Sequence, residues 1–395
     1  MNKWETIKFK DFVALKRGYD LPHHKSKDGN YPVIASTNIR GYHDEYKVEP
    51  PVVTVGRSGS IGQVQIIYDK AWPLNTTLYV TDSKGNNINF IYYFLQTMGL
   101  EQFNSGAGVP TLNRNHINLL KIKIPDIKTQ EKIANVLSTY DKLIENNNRR
   151  IEILEQTAEE IYKEWFVRMR FPGYENAEFD KGIPKEWDVK KVGEIISFDI
   201  GGGWGTESPE EDSTKEAYVI RGTDIPNMKY GEINYELLRF HKDSQLTNRR
   251  LRSSDIIFEA SGGSKDQRLG RTYYITNETL SMYDEDVICA SFCKVIRIDE
   301  KYLSWYFNHY LNYAYKTETL SIFEVQSTGI SNFGFTNFKK HHQVLLPTVD
   351  IMKQFFELTY NMYIEKQKLG RKNENLKKQR DLLLPRLMNG TIEVK

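Results

Sequence analysis

The sequence predicts an α+β protein of two similar domains, each a curved, mainly antiparallel sheet with short helices, separated by two long helices forming an antiparallel coiled coil. Three observations carry this. A strand–proline–helix junction occurs twice, as KIKIPDIKTQEKIANVL from Lys121 and QVLLPTVDIMKQFFELT from Gln343. The blocks upstream of each junction recur in the same order, the mark of an internal repeat. After each proline the apolar spacing changes from that of a strand to that of a helix.

Taken in order, WETIKFKDFVALKRG at Trp4 matches WDVKKVGEIISFDIG at Trp187. PVIASTNI at Pro32 matches YVIRGTDI at Tyr218, and VVTVGRSGS at Val52 matches IIFEASGGS at Ile256. FIYYFL at Phe90 matches YLSWYF at Tyr302, and SGAGVPTLNRNHI at Ser105 stands where QSTGISNFGFTNF stands at Gln326. The second copy is longer through insertions between blocks, as loops diverge on a shared scaffold. β-Branched and aromatic runs alternate with glycine turns and read as short strands. Short helices are expected over 90–102 and 301–315.

The first long helix is expected from about Thr129 to Arg168. Its seam is Ile133, Leu137, Tyr140, Ile144, Asn147, Ile151, Leu154, Ala158, Ile161 and Trp165, at alternating steps of four and three. The second seam is Phe355, Leu358, Met362, Leu369, Leu376 and Leu383, with Pro385 and Gly390 ending the helix. Asn147 and Asn373 are placed to meet and fix register. The domain division expected is 1–128, a spacer helix 129–168, a linker 169–186, a second domain 187–350, and a second helix with its tail over 351–395.

At 395 residues the chain exceeds one ordinary core. With 39% hydrophobic and 27% charged residues it reads as globular, not disordered. No apolar run is long enough for a membrane span, and MNKWETIKFKDF lacks a signal-peptide core. Two cysteines fit a reducing cytoplasm. A net charge of +2 means that any nucleic-acid footprint must be local.

Motifs for catalysis fail on inspection. EPPV at Glu49 resembles the Asn/Asp-Pro-Pro-aromatic motif of amino-methyltransferases but lacks both the amide or aspartate and the aromatic. FDIGGG at Phe198 has no following helix to complete a dinucleotide site. PDIKTQEK at Pro125 has a nuclease-like carboxylate and lysine, but helix capping accounts for Asp126 and Thr129. Cys289 and Cys293, read on one strand, would lie roughly 13 Å apart and share no metal. The histidine pairs His23–His24 and His341–His342 lack ligand-spaced partners. No catalytic residue, metal or cofactor is expected.

The loops instead carry side chains able to read base edges and phosphates. In the first copy these are Asn38, Arg40, Arg57, Ser58, Asn113, Arg114 and His116. In the second they are Arg221, Thr223, Asp224, Lys265, Gln267, Arg268, Arg271, Asn332, Asn337, Lys339 and Lys340. For any one of them a solvated loop charge is the plainer reading; the pattern across matching loops is the stronger signal.

Two variable β-rich domains, each followed by such a junction, with GVPTLNRNHINLLKIKIPDIKTQEKIANVLSTYDKLI, YVIRGTDI and the closing LLLPRLMNG, resemble the specificity (S) subunit of Type I restriction–modification systems. The resemblance covers essentially the whole chain. One departure is the second junction, where TVDIMKQFF stands in place of a Glu-Gln pair. The resemblance implies two target-recognition domains, each reading half of a split double-stranded DNA sequence, with the helices as spacer. It implies two methyltransferase (M) subunits and restriction (R) subunits as partners that supply catalysis, no membrane, and a cytoplasmic location. Tyr162, Trp165, Phe166, Leu383 and Leu384, read as exposed and without an intramolecular mate, are the expected partner contacts. A self-contained methyltransferase or nuclease with drifted motifs, or a coiled-coil adaptor, are the competing readings.

Overall fold

A computed structural model describes residues 4–394 except 107, 263–266 and 328–329. The chain forms two compact units, 1–144 with 376–395, and 145–375. Each takes part of both long helices.

In the first unit, strand Trp4–Lys8 pairs antiparallel with Lys121–Pro125, setting Trp4 opposite Pro125. A four-stranded antiparallel sheet has the order Ala14–Arg17, Thr77–Asp82, Val52–Gly56, Val64–Ile67. A smaller sheet sets Tyr31–Ile34 between Ile39–His43, antiparallel, and Trp72–Pro73, parallel. Val52–Gly56 is buried throughout, which is why its sequence, VVTVG, lacks the apolar–polar alternation of a one-sided strand. Helix Ile88–Gln96 is capped by Asn87, whose side chain accepts from the Phe90 amide at 3.0 Å. It lays Phe90, Ile91 and Phe94 against Phe12, Val53 and Leu78. Removing one such ring typically costs about 3–5 kcal/mol.

The second unit repeats this topology. Asp188–Lys191 pairs with Gln343–Leu346 in a register that, one step further, sets Trp187 opposite Pro347. The four-stranded order is Phe198–Gly201, Cys293–Arg297, Ile256–Glu259, Thr272–Tyr274. Lys215–Ile220 lies between Leu238–His241, antiparallel, and Asp286–Cys289, parallel. An added sheet joins Ser261–Gly262, Ile330–Phe333 and Glu324–Ser327. Cys289 and Cys293 end and begin adjacent strands, joined by a turn, rather than sharing one strand; both are buried. The turn residues between them are too few for the sequence pattern to separate two strands from one.

The first long helix spans Ile127–Tyr162 and passes into a π-helical turn, Lys163–Val167. Asp126 caps it, accepting from the Thr129 amide at 3.0 Å. Buried Gln130 donates to the Pro125 carbonyl at 3.0 Å and to Asn86 Oδ1 at 2.8 Å, and accepts from the Asn87 amide at 3.0 Å. At the second junction the residues at the same offsets from the proline, Ile351 and Met352, are buried in the apolar core instead. Both devices anchor a helix start to its sheet.

The second long helix, Val349–Met388, runs antiparallel to the first within each unit. In the second unit Asn147 Nδ2 donates to Asn373 Oδ1 and Asn373 Nδ2 to Asn148 Oδ1, both at 2.8 Å. Arg150 pairs there with Glu365 at 3.1 Å. In the first, Arg380 pairs with Asp141 at 2.5 Å. Two expectations fail here. Leu358 is exposed, and Thr359 is buried in its place, its hydroxyl accepting from Trp305 Nε1 at 2.8 Å. Pro385 does not end the helix. Leu387 and Met388 pack into the core and hold a final turn before Gly390, whose positive φ of 77° stops it.

Candidate nucleic-acid interface

In the first unit the candidate loops border a cleft of about 610 Å³. Arg40 and Ser58 line it together with Asp20, Thr37, Asn75 and Thr76. The small sheet presents Thr37 and Arg40, and the loop after Val52–Gly56 presents Ser58. Ser36 braces the walls, its hydroxyl donating to the carbonyls of Ser58 at 2.9 Å and Thr76 at 2.8 Å. The amides of Arg57 and Ser58 bond the Thr76 carbonyl, and those of Gly59 and Leu112 bond Pro110 and Arg57. This frame brings the Arg57–Ser58 and Asn113 loops side by side. Arg57 reaches the Asn75 carbonyl at 3.3 Å. Asn38 closes a tight turn through the Ala35 amide. Asn113 caps helix Arg114–Asn118, and Arg114 donates to the Leu15 carbonyl at 3.2 Å, so both have structural partners. His116 is exposed.

In the second unit several expected readers are bound to their own unit. Arg221 grips Asp224 through Nε at 3.1 Å and Nη2 at 2.8 Å. Burial pushes the Asp224 carboxyl up, but the Arg221 guanidinium and amide outweigh it and hold it below its ordinary range. Arg271 bonds Glu259 at 2.7 and 2.6 Å, with 15% and 4% of the side chains exposed. Gln267, oriented to accept, faces Arg271 as well. Arg268 pairs with Glu318 at 2.5 Å. Lys339 pairs with Asp199, and Asn332 accepts from the Ser261 hydroxyl at 2.8 Å. Thr223, Asn337 and Lys340 face solvent. Lys265 lies outside the described residues.

Asp20, Thr37, Asn75 and Thr76 were not legible as site residues. Asp20 and Asn75 are hydrogen-bonded to each other although far apart in sequence, a contact no local pattern announces. Exposed Trp204, over which the Arg239 guanidinium lies at 5.7 Å, was also missed; its flanking glycines were the available signal.

The expected partner contacts are placed differently from their reading. Tyr162 and Phe166 are core residues, 3% and 6% exposed, in tilted and edge-on ring contact with Tyr306 and Phe355. Trp165 packs half-buried on the same core, and Leu383 and Leu384 on the core of the first unit. The end of each stripe packs on its own unit, which removes those apolar side chains from water. Exposed apolar side chains on the long helices include Ile127, Leu143 and Ile153 on the first and Val349, Leu358 and Leu382 on the second.

Among the described residues no group of three or more His, Cys, Asp or Glu is arranged to hold a metal. Among them, too, no helix is long and apolar enough to cross a membrane.

Residues 1–156 match the family described as Type I restriction modification DNA specificity domain. The "Type I restriction enzyme MjaIX specificity subunit" of Methanocaldococcus jannaschii is 27% identical over 433 residues, covering 99% of this chain and 94% of that one. The "Putative type I restriction enzyme MjaX specificity subunit" of the same organism is 32% identical over 257 residues, covering 56% and 58%. Among solved structures, the "Type-I restriction-modification system S subunit from M. genitalium" superposes with a TM-score of 0.63 at 16% identity, covering 98% and 96%. That likeness is one of fold.

Proposed function

The chain belongs to the specificity-subunit family of Type I restriction–modification systems, and on that premise we propose that it reads a bipartite DNA target, one domain per half-site. The observation that supports this best is the duplicated head. Two units share one sheet order and one strand–proline–helix junction, yet present different side chains on matching loops. A duplicated scaffold with unlike loops suits two different half-sequences.

The division of labour we propose is recognition by 1–128 and 187–350, with 129–168 and 351–395 as spacer helices and 169–186 as linker. The chain is not itself an enzyme. It holds two M subunits, which methylate, and R subunits, which cleave, on double-stranded DNA in the cytoplasm. In the first head, Arg40 and Ser58 offer a base-edge or phosphate donor pair in the cleft, with Arg57 beside them. In the second, Thr223, Asn337 and Lys340 are the readers best placed to reach DNA. For partner docking, exposed Ile153 and Leu382 are better candidates than Tyr162 and Phe166.

The test has two arms. The pure chain, incubated with S-adenosylmethionine and DNA, is expected to transfer no methyl group; robust transfer would support the self-contained methyltransferase instead. Reconstituted with its M partner, it is expected to methylate one split motif. Methylation without sequence preference would refute the recognition role.

A further inference from the structure

The second unit holds a cavity of about 280 Å³ with no part in the reading above. It lies where the first long helix, helix Lys301–Lys316 and the second long helix meet strand Thr272–Tyr274. One wall is aromatic. Tyr162 stacks on the His309 ring, centroids 6.1 Å apart and planes 18° apart, and Tyr313 lies 5.7 Å from Tyr162. The other wall is ionic, with Lys366 and Lys316 at its edge.

Two features set this lining apart from ordinary packing. First, His309 Nε2 is out of contact with solvent and has no hydrogen-bond partner. A buried polar atom left unsatisfied is costly, so natural interiors rarely keep one. Burial, then the Lys366 charge, push the imidazole down to about 3, so the ring is neutral near pH 7. Second, the cations outnumber the anions. Lys229, Lys316, Lys366 and Arg271 line the cavity, against Glu155 and Glu159 in its wall and Glu259 behind Arg271; Glu159 is paired with Lys316. Glu155 is 2.8 Å from Lys229 but 3.9 Å from Lys366, so Lys366 is the weakly matched cation. Burial lowers its pKa. Buried ammonium groups are stabilised by a close anion.

We propose that this cavity binds a small aromatic anion, its ring among Tyr162, His309 and Tyr313, one polar atom in or on the ring bonded to His309 Nε2, and its anionic group paired with Lys366 and Lys316. An aromatic face suits the stacked rings, and the charge excess selects an anion over a neutral ring. The inference is independent of DNA reading, because the contacts it assigns, Tyr162, His309, Tyr313, Lys316 and Lys366, are not among the loop residues.

Titration of the full chain with AMP, 4-hydroxybenzoate, adenosine and inorganic phosphate tests it, read by calorimetry and by tryptophan fluorescence through Trp305. At least one of the two aromatic anions is expected to bind saturably, one per chain. For AMP, adenosine and phosphate alone are each expected to be weaker by about tenfold or more, the equivalent of one charge-assisted hydrogen bond. Lys366→Met is expected to weaken binding by a similar factor. Thermal unfolding should stay cooperative, since Glu155 keeps Lys229. His309→Phe retains the stacking ring and removes the nitrogen, and should also weaken binding. Absence of saturable binding by either anion overturns the proposal. So does binding that neither substitution weakens, or adenosine binding as tightly as AMP.

Discussion

Arg271 and Arg40 show how unlike the fates of two candidate arginines are. Arg271 is spent on Glu259, which is almost wholly buried. Arg271→Met should therefore cost stability, about 3–5 kcal/mol, because it strands a buried carboxylate. Urea denaturation measures this, and a loss under about 1 kcal/mol would show the pair to be screened like a surface one. Arg40 is exposed and lines the first cleft, where it can meet DNA. Arg40→Ala should weaken DNA binding, and reduce the salt slope by about one if the contact is to phosphate. Unaltered affinity would remove it from the interface. His309 predicts a pH effect at the same scale. Its folded pKa of about 3 lies below the unfolded value near 6.5, so the unfolded chain binds the extra proton. Stability is complete above about pH 6.5 and falls as pH drops toward 3, by up to about 1.4 kcal/mol per pH unit. His309→Phe should flatten that acid limb in denaturation curves; an identical limb would show that other groups govern it.

At the scale of elements, the second long helix carries a stripe the apolar pattern hides. Thr359, Lys366, Asn373 and Arg380 recur every seventh residue. Thr359, Asn373 and Arg380 meet Trp305, Asn147 with Asn148, and Asp141, while Lys366 stands 3.9 Å from Glu155. An all-leucine seam would tolerate a slip of one heptad, whereas this sequence of unlike pairs admits one register. Replacing both Asn147 and Asn373 by Leu should leave stability unchanged or raise it, while either single change should cost about 1–3 kcal/mol by stranding an amide. Chemical denaturation of the three variants decides. A double variant less stable than both singles would mean that the amides stabilise the helix pair outright.

For the whole molecule, the duplicated scaffold predicts modular specificity. Exchanging residues 1–128 for those of a relative should change one half of the methylated motif and leave the other intact, as sequencing of methylated DNA would reveal. A change in both halves would show that the heads do not read independently.

Periodicity, turn chemistry and repetition were enough, from the chain alone, to specify the fold class, the duplicated heads and the long helices. These signals are local, or they repeat, so the residues announce them without knowledge of distant neighbours. Even the Asn147–Asn373 contact followed from seam phase, because two helical periods meeting antiparallel constrain each other. What only the tertiary structure decided was which charged side chains are held by carboxylates of their own unit. Arg221 and Arg271 read as loop arginines, but one has Asp224 folded back on it and the other is gripped by buried Glu259. Likewise Tyr162 and Phe166 look unmated on a helix wheel and are core in the fold, because Tyr306 and Phe355 arrive from far along the chain. Burial and ion pairing depend on what lies across space, and a linear pattern carries that information only where it repeats.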